Sequence, residues 1–173
     1  MITQTELFKK CISVILISEG GFTLNPIDSG NWTGPNCTGE LKGTKYGIAA
    51  RFFPYLDIKN LTLNQARQIY FEKYYLPMNL EGIHDQFAIL HIFDFGINAG
   101  KGIAIRTAQR IVGAKADGIM GKMTTEAINK FHNFSTAYIM KRKEYYVNLV
   151  NQKPQYKIFL KGWLNRVEKT KFA

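Results

Sequence analysis

Apolar residues along this chain recur mostly three or four positions apart, the spacing of helices that each bury one face. Leu7, Cys11, Val14, Ile15 and Ser18 keep that period behind Thr3-Gln4-Thr5-Glu6, whose Thr-x-x-Glu form reads as a capping box. The pattern predicts a first helix that begins there and stops at Gly20-Gly21, just after Glu19. Thr62-Leu-Asn-Gln65 is a second capping box, opening a helix to about Tyr75 that Pro77 closes. From Asp85 to Ala99 the apolar residues wrap all round, which marks a buried central helix ended by Gly100. Another helix is expected from about Gly102 to Val112, ending at Gly113. Thr124 then reads as the N-cap of a long helix reaching about Val150, with a break over residues 152–154. The last helix carries Phe159, Leu160, Trp163, Leu164 and Val167 on one face.

Residues 22–47 interrupt this period. Asn25-Pro26, Asp28-Ser29-Gly30 and Gly34-Pro35 are turn chemistry, with room for a short hairpin but no long strand. A loop region this long in a small domain is usually functional or disordered, and Trp32, Cys37 and Tyr46 argue against disorder. The fold class is therefore mainly α, with one turn-rich segment after the first helix. The expected organisation is an N-terminal part over residues 1–85 and a helical C-terminal part over 86–173, packed as one globular unit.

Composition narrows the partners. With 173 residues, 46% of them hydrophobic and 13% aromatic, the chain can bury a sizeable core without staples. A net charge of +10 favours a polyanion: nucleic acid, an anionic membrane surface or the acidic bacterial wall. The basic residues are scattered, with no run longer than Lys141-Arg142-Lys143, so charge alone does not choose. The longest apolar stretch, residues 11–17, is far too short to cross a bilayer and no small-residue cleavage site follows it. Neither a signal peptide nor stable membrane insertion is expected. Cys11 and Cys37 do not make a disulfide framework, and a bridge between them is left open. His84, His91 and His132 lack ligand spacing and no glycine-rich loop follows a strand, so neither a metal nor a nucleotide cofactor is expected.

Two carboxylates stand in contrasting settings. Glu19 comes at the end of an apolar helix, where desolvation and the helix C-terminus both favour a protonated carboxyl. Asp28 lies nine residues on, in a turn whose solvent and backbone N–H groups favour the ionised form. Glycosidic cleavage asks for such a pair, one group to protonate the leaving oxygen and one to handle water or charge. On spacing alone the same Glu is as readily a solvated helix end. Asp94 and Asn98 share a helix face with His91, and the plainer reading of the three is a buried hydrogen-bond network holding the loop.

Longer motifs add to the pair. Glu19-Gly20-Gly21-Phe22, Asp28-Ser29-Gly30 and Thr44-Lys45-Tyr46-Gly47-Ile48 together resemble the N-terminal signature of the family 108 glycoside hydrolases, muramidases of the lysozyme superfamily. Phe95-Gly-Ile-Asn98-Ala-Gly100 is similar to their central-helix motif. The stretch from Ala108-Gln109 through Asp117-Gly118 and Gly121 to Ile128 resembles the peptidoglycan-binding segment that follows in that family. Residues 159–167 look like its C-terminal helix. The insert at residues 31–43 is longer than the common pattern and brings in Glu40, a rival second carboxylate.

The resemblance implies a lysozyme-like fold and an N-acetylmuramidase cutting the β-1,4 bond between N-acetylmuramic acid and N-acetylglucosamine. It maps the catalytic acid onto Glu19 and, from related phage-type lysozymes, the other catalytic positions onto Asp28 and Thr44. Tyr46, Trp32 and Asn98 are the candidate substrate-binding residues, each with a packing role as the alternative. The implied partner is the glycan strand of peptidoglycan, met by a monomer after export or phage-mediated release, with no nucleic acid and no cofactor. A lytic transglycosylase and a non-catalytic wall-binding or secretion accessory protein are the alternatives.

Overall fold

The computed structural model describes residues 5–17 and 20–172. Among these, seven α-helices dominate, joined by short 3-10 turns and one two-stranded antiparallel sheet. The mainly α architecture expected from the periodicity, lysozyme-like as the resemblance implies, is what the chain adopts. Two compact units can be distinguished, one from residues 1–11 with 71–173, the other over Ile12–Tyr70.

Helix α1 (Glu6–Ile17) begins later than the first capping box indicates. Thr5 is the cap, its hydroxyl accepting from Phe8 N–H at 3.2 Å, and Glu6 pairs with Lys9. Thr3 and Ser18 lie outside the described residues.

The unit over residues 12–70 holds the turn-rich segment, hairpin β1 (Thr44–Lys45) and β2 (Ile48–Ala49), and helix α2 (Leu63–Tyr70). Two residues per strand is the short hairpin that the turn-rich composition allowed. The second capping box forms as read, with Thr62 N–H on Gln65 Oε1 at 2.8 Å and Gln65 N–H returning to Thr62 Oγ1 at 3.3 Å. Ile12, Ile15, Ile48, Ile58, Ala66 and Tyr70 are buried.

The other unit continues the chain through a wider helical turn at Phe71–Tyr75 and a 3-10 turn around Pro77. Its centre is α3 (Gln86–Ala99), capped by the Asp85 carboxylate and ended by Gly100 at φ +99°. The residues from Ala88 to Gly96 are all buried, as the all-round apolar pattern predicts. Phe8, Phe71, Tyr75 and Phe93 form an aromatic cluster, and Cys11 is buried in the same unit with its thiol pushed up to about 12 by burial. Cys11 and Cys37 are both free thiols.

Helices α4 (Lys101–Ile111), α5 (Lys122–Lys130), α6 (Phe134–Gln152) and α7 (Lys157–Lys169) complete it. The single long helix expected from Thr124 is two helices. Asn133 takes a left-handed φ of +55° and breaks the chain there, while Thr124 lies inside α5, nearly buried. Trp163 stacks on Tyr146 with ring centres 5.1 Å apart, in keeping with its expected packing role.

Candidate active site

Glu19 lies outside the described residues, but the segments on both sides of it are described. Beyond it, Thr23 pairs antiparallel with Thr44 through two backbone hydrogen bonds of 2.9 Å. One step nearer Glu19, Tyr46 N–H donates to the Gly20 carbonyl at 3.3 Å. The hairpin carrying Thr44 and Tyr46 is thus fastened to residues 20–23.

Tyr46 and Gly47 form the two-residue turn of that hairpin, with φ of +52° and +74°. A tight hairpin needs positive φ at both positions, which Gly47 supplies freely and Tyr46 only with strain, on the order of 1 kcal/mol. Tyr70, 1% exposed, holds the strained residue by donating its hydroxyl to the Tyr46 carbonyl at 3.0 Å. The Lys45 ammonium lies 5.4 Å over the Tyr46 ring.

Asp28 caps a 3-10 turn at Ser29–Asn31, its Oδ1 accepting from Gly30 N–H at 2.8 Å. A Cβ at Gly30 would lie 3.1 Å from that oxygen, so glycine there leaves the carboxylate free to fold back. Asn31 joins this turn to the hairpin. It is fully buried, its N–H bonds to the Asp28 carbonyl, and its own carbonyl accepts from Lys42 and Gly43. The Asp28 turn and Thr44 therefore sit two links apart in one hydrogen-bonded braid despite the insert between them.

Trp32 donates its indole N–H to the Pro26 carbonyl at 2.9 Å and pairs through its backbone with Leu41. That uses its polar handle to pin the insert. Glu40, the rival carboxylate, is occupied with the Lys42 ammonium at 3.3 Å. Asn98 belongs to the other unit, exposed near the end of α3, where its Oδ1 accepts from the Tyr146 hydroxyl at 2.6 Å.

The polar residues of α3 form a buried network. Asp94, 1% exposed, accepts from Arg142 and Arg166 and from the Thr170 hydroxyl, tying α3 to α6 and α7. Burial pushes the Asp94 carboxyl up, but the two guanidinium groups outweigh it and hold the group below the usual carboxylate range. Burial, with Arg142 beside it, pushes His91 down to about 4, so its imidazole is neutral at physiological pH. Asp94 and His91 thus both meet Arg142 of α6, while Asn98 bonds Tyr146 of the same helix.

Two features escaped the sequence reading. Asn31 and Tyr70, which brace the braid, look in sequence like an ordinary turn asparagine and a helix tyrosine. A groove of about 450 Å³ also opens in the same unit, with Phe22 and Leu24 on one side and Tyr55 to Lys59 on another.

Comparison with known proteins bears on this arrangement. The glycosyl hydrolase 108 model matches residues 12–100, and a predicted peptidoglycan domain matches residues 103–168. No curated protein matches the chain. Eleven chains of solved structures do. One of them, Brucella abortus SagA, is 24% identical over 94% of this chain and 90% of its own, with a TM-score of 0.73, and so shares the fold. No helix among the described residues is long and apolar enough to cross a membrane. The family match takes in half of the chain together with the braid that joins residues 20–23, the Asp28 turn and Thr44: the chain belongs to the glycosyl hydrolase 108 family and is a peptidoglycan hydrolase with muramidase activity.

Proposed function

We propose that Glu19 is the general acid of this hydrolase and that Asp28 and Thr44 handle the attacking water. The scissile bond is the β-1,4 link between N-acetylmuramic acid and N-acetylglucosamine. Glu19 gives its proton to the glycosidic oxygen as the bond to the anomeric carbon breaks. Water adds to that carbon from the opposite face, with Asp28 taking its proton or stabilising the developing positive charge, and the Thr44 hydroxyl orienting it. The observation that carries this reading is the backbone braid, in which residues 20–23 are bonded to residues 44–46 and the Asp28 turn is bonded through Asn31 to residue 43. Tyr46 lies at the turn of that hairpin, where its ring can meet the sugar, and Asn98 is the further substrate-binding residue of this reading.

The enzyme works as a monomer and reaches the wall by export or phage-mediated release, held there by its net charge of +10. Analysis of the ends released from purified peptidoglycan tests the reaction. Hydrolysis leaves reducing N-acetylmuramic acid ends, carrying heavy oxygen when the digest is run in labelled water. Anhydromuramyl ends without label would instead mean a lytic transglycosylase, and a wild type that releases no ends would favour a wall-binding accessory role.

A further inference from the structure

We propose that the groove beside the insert is a glycan-binding subsite, where a pyranose ring of the wall polymer stacks on Tyr55; this rests on the hydrolase reading above. Three segments of one unit build it: the segment with Phe22 and Leu24, the arm of the insert with Glu40, Leu41 and Lys42, and the turn over residues 55–59.

Its position follows the substrate. Phe22 comes three residues after Glu19 and next to Thr23, which bridges to the hairpin at Thr44, so the groove lies on the segment that follows the proposed acid. The substrate is a polymer, and sugars beyond the scissile bond need somewhere to lie. At about 450 Å³ the groove is in the size range of small-molecule sites.

Its chemistry is amphipathic, as a pyranose is. One sugar face presents C–H groups and the edge presents hydroxyls and an N-acetyl amide. Tyr55 is 98% exposed and Phe22 39% exposed, apolar surfaces that the fold itself does not cover. Glu40 and Asp57 bring carboxylates to the lining, and Lys42 an ammonium.

The walls are also fixed in advance. Lys42 Nζ donates to the Pro54 carbonyl at 2.9 Å, bracing the insert against the turn that carries Tyr55. Lys45 Nζ donates to the Lys59 carbonyl at 2.9 Å, and Asn60 bonds the Asp57 carboxylate. Gly43 has no side chain because a Cβ there would lie 2.8 Å from the Phe22 ring and 2.3 Å from the Thr23 carbonyl. A braced groove loses little freedom on binding. The insert at residues 31–43 thereby acquires a role, as one wall of a site for substrate.

The test uses glycan strands freed of stem peptides by an amidase, alongside intact sacculi, in a Glu19→Gln background that keeps substrate uncut. Tyr55→Ala should weaken binding to the stripped strands about 5- to 10-fold, while Tyr55→Trp retains it. Tyr55 is almost wholly exposed, so the thermal midpoint should not move. Unchanged affinity of Tyr55→Ala for stripped strands overturns the proposal. So does a loss confined to intact sacculi, which would assign the groove to the stem peptide. Release of ends by wild-type enzyme is scored separately, so failure of the hydrolase reading is distinguished from failure of the groove.

Discussion

The backbone N–H of Tyr46 donates to the carbonyl of Gly20 at 3.3 Å, fastening the hairpin turn to the residue that follows Glu19. Tyr46 pays for that position with a φ of +52°, and Tyr70 holds it there. Removing the Tyr70 hydroxyl in Tyr70→Phe should cost about 1 kcal/mol of stability. It should also lower kcat by about 10-fold, because the hairpin is loosened next to Glu19, the proposed acid. Steady-state kinetics with urea unfolding check both; a stability loss with full kcat would leave Tyr70 a core residue only.

Asp28 has a structural task and a proposed chemical one, and they can be separated. Asparagine at this position also presents an oxygen to Gly30 N–H, so Asp28→Asn should keep the turn and most of the stability. It cannot take a proton or balance positive charge. Its kcat is expected to fall by roughly 10²- to 10⁴-fold. A variant with near-normal turnover would confine Asp28 to the turn.

His91 makes stability depend on pH in a predictable direction. The unfolded imidazole titrates near 6.5, whereas the folded one is pushed down to about 4. Between these values the unfolded chain binds the extra proton and the folded chain does not. Stability is therefore fully present above about pH 6.5 and falls as pH drops toward 4, by on the order of 3 kcal/mol in all. Asp94, held low by its arginines, adds its loss only at still lower pH. Urea midpoints measured from pH 7 to 4.5 should slope in the wild type and flatten in His91→Gln.

Electrostatic attraction to the wall is screened by salt. With a net charge of +10 and basic residues spread over the surface, binding to purified sacculi should weaken steadily from about 50 mM to 500 mM salt. Binding by sedimentation measures this, and affinity independent of salt would place recognition in specific contacts alone.

The helices were legible in sequence wherever period and cap agreed. Thr62 with Gln65 and Asp85 with Gly100 bound their helices as read. The break at Asn133 was not legible, because apolar spacing continues across it and nothing but a left-handed asparagine marks it. Arg142 was hidden as well. It sits in the middle of the longest basic run, yet it is fully buried, its charge met by Asp94 from 48 residues away. Sequence shows charges along the chain but not which of them a distant partner will draw inside. The motifs around Glu19, Asp28 and Thr44 were legible as a resemblance. Their joining through Asn31, and the exposure of Tyr55, depend on how the turns fold back and carry no sequence mark.

Lysis of purified peptidoglycan by Glu19→Gln, followed by release of muramic acid ends, measures the central claim. Glutamine keeps the size of the side chain but has no proton to give the leaving oxygen. The expected result is a fall of at least about a hundredfold in rate, with sedimentation onto sacculi retained. Lysis at the wild-type rate would contradict the account, since another group would then be supplying the proton.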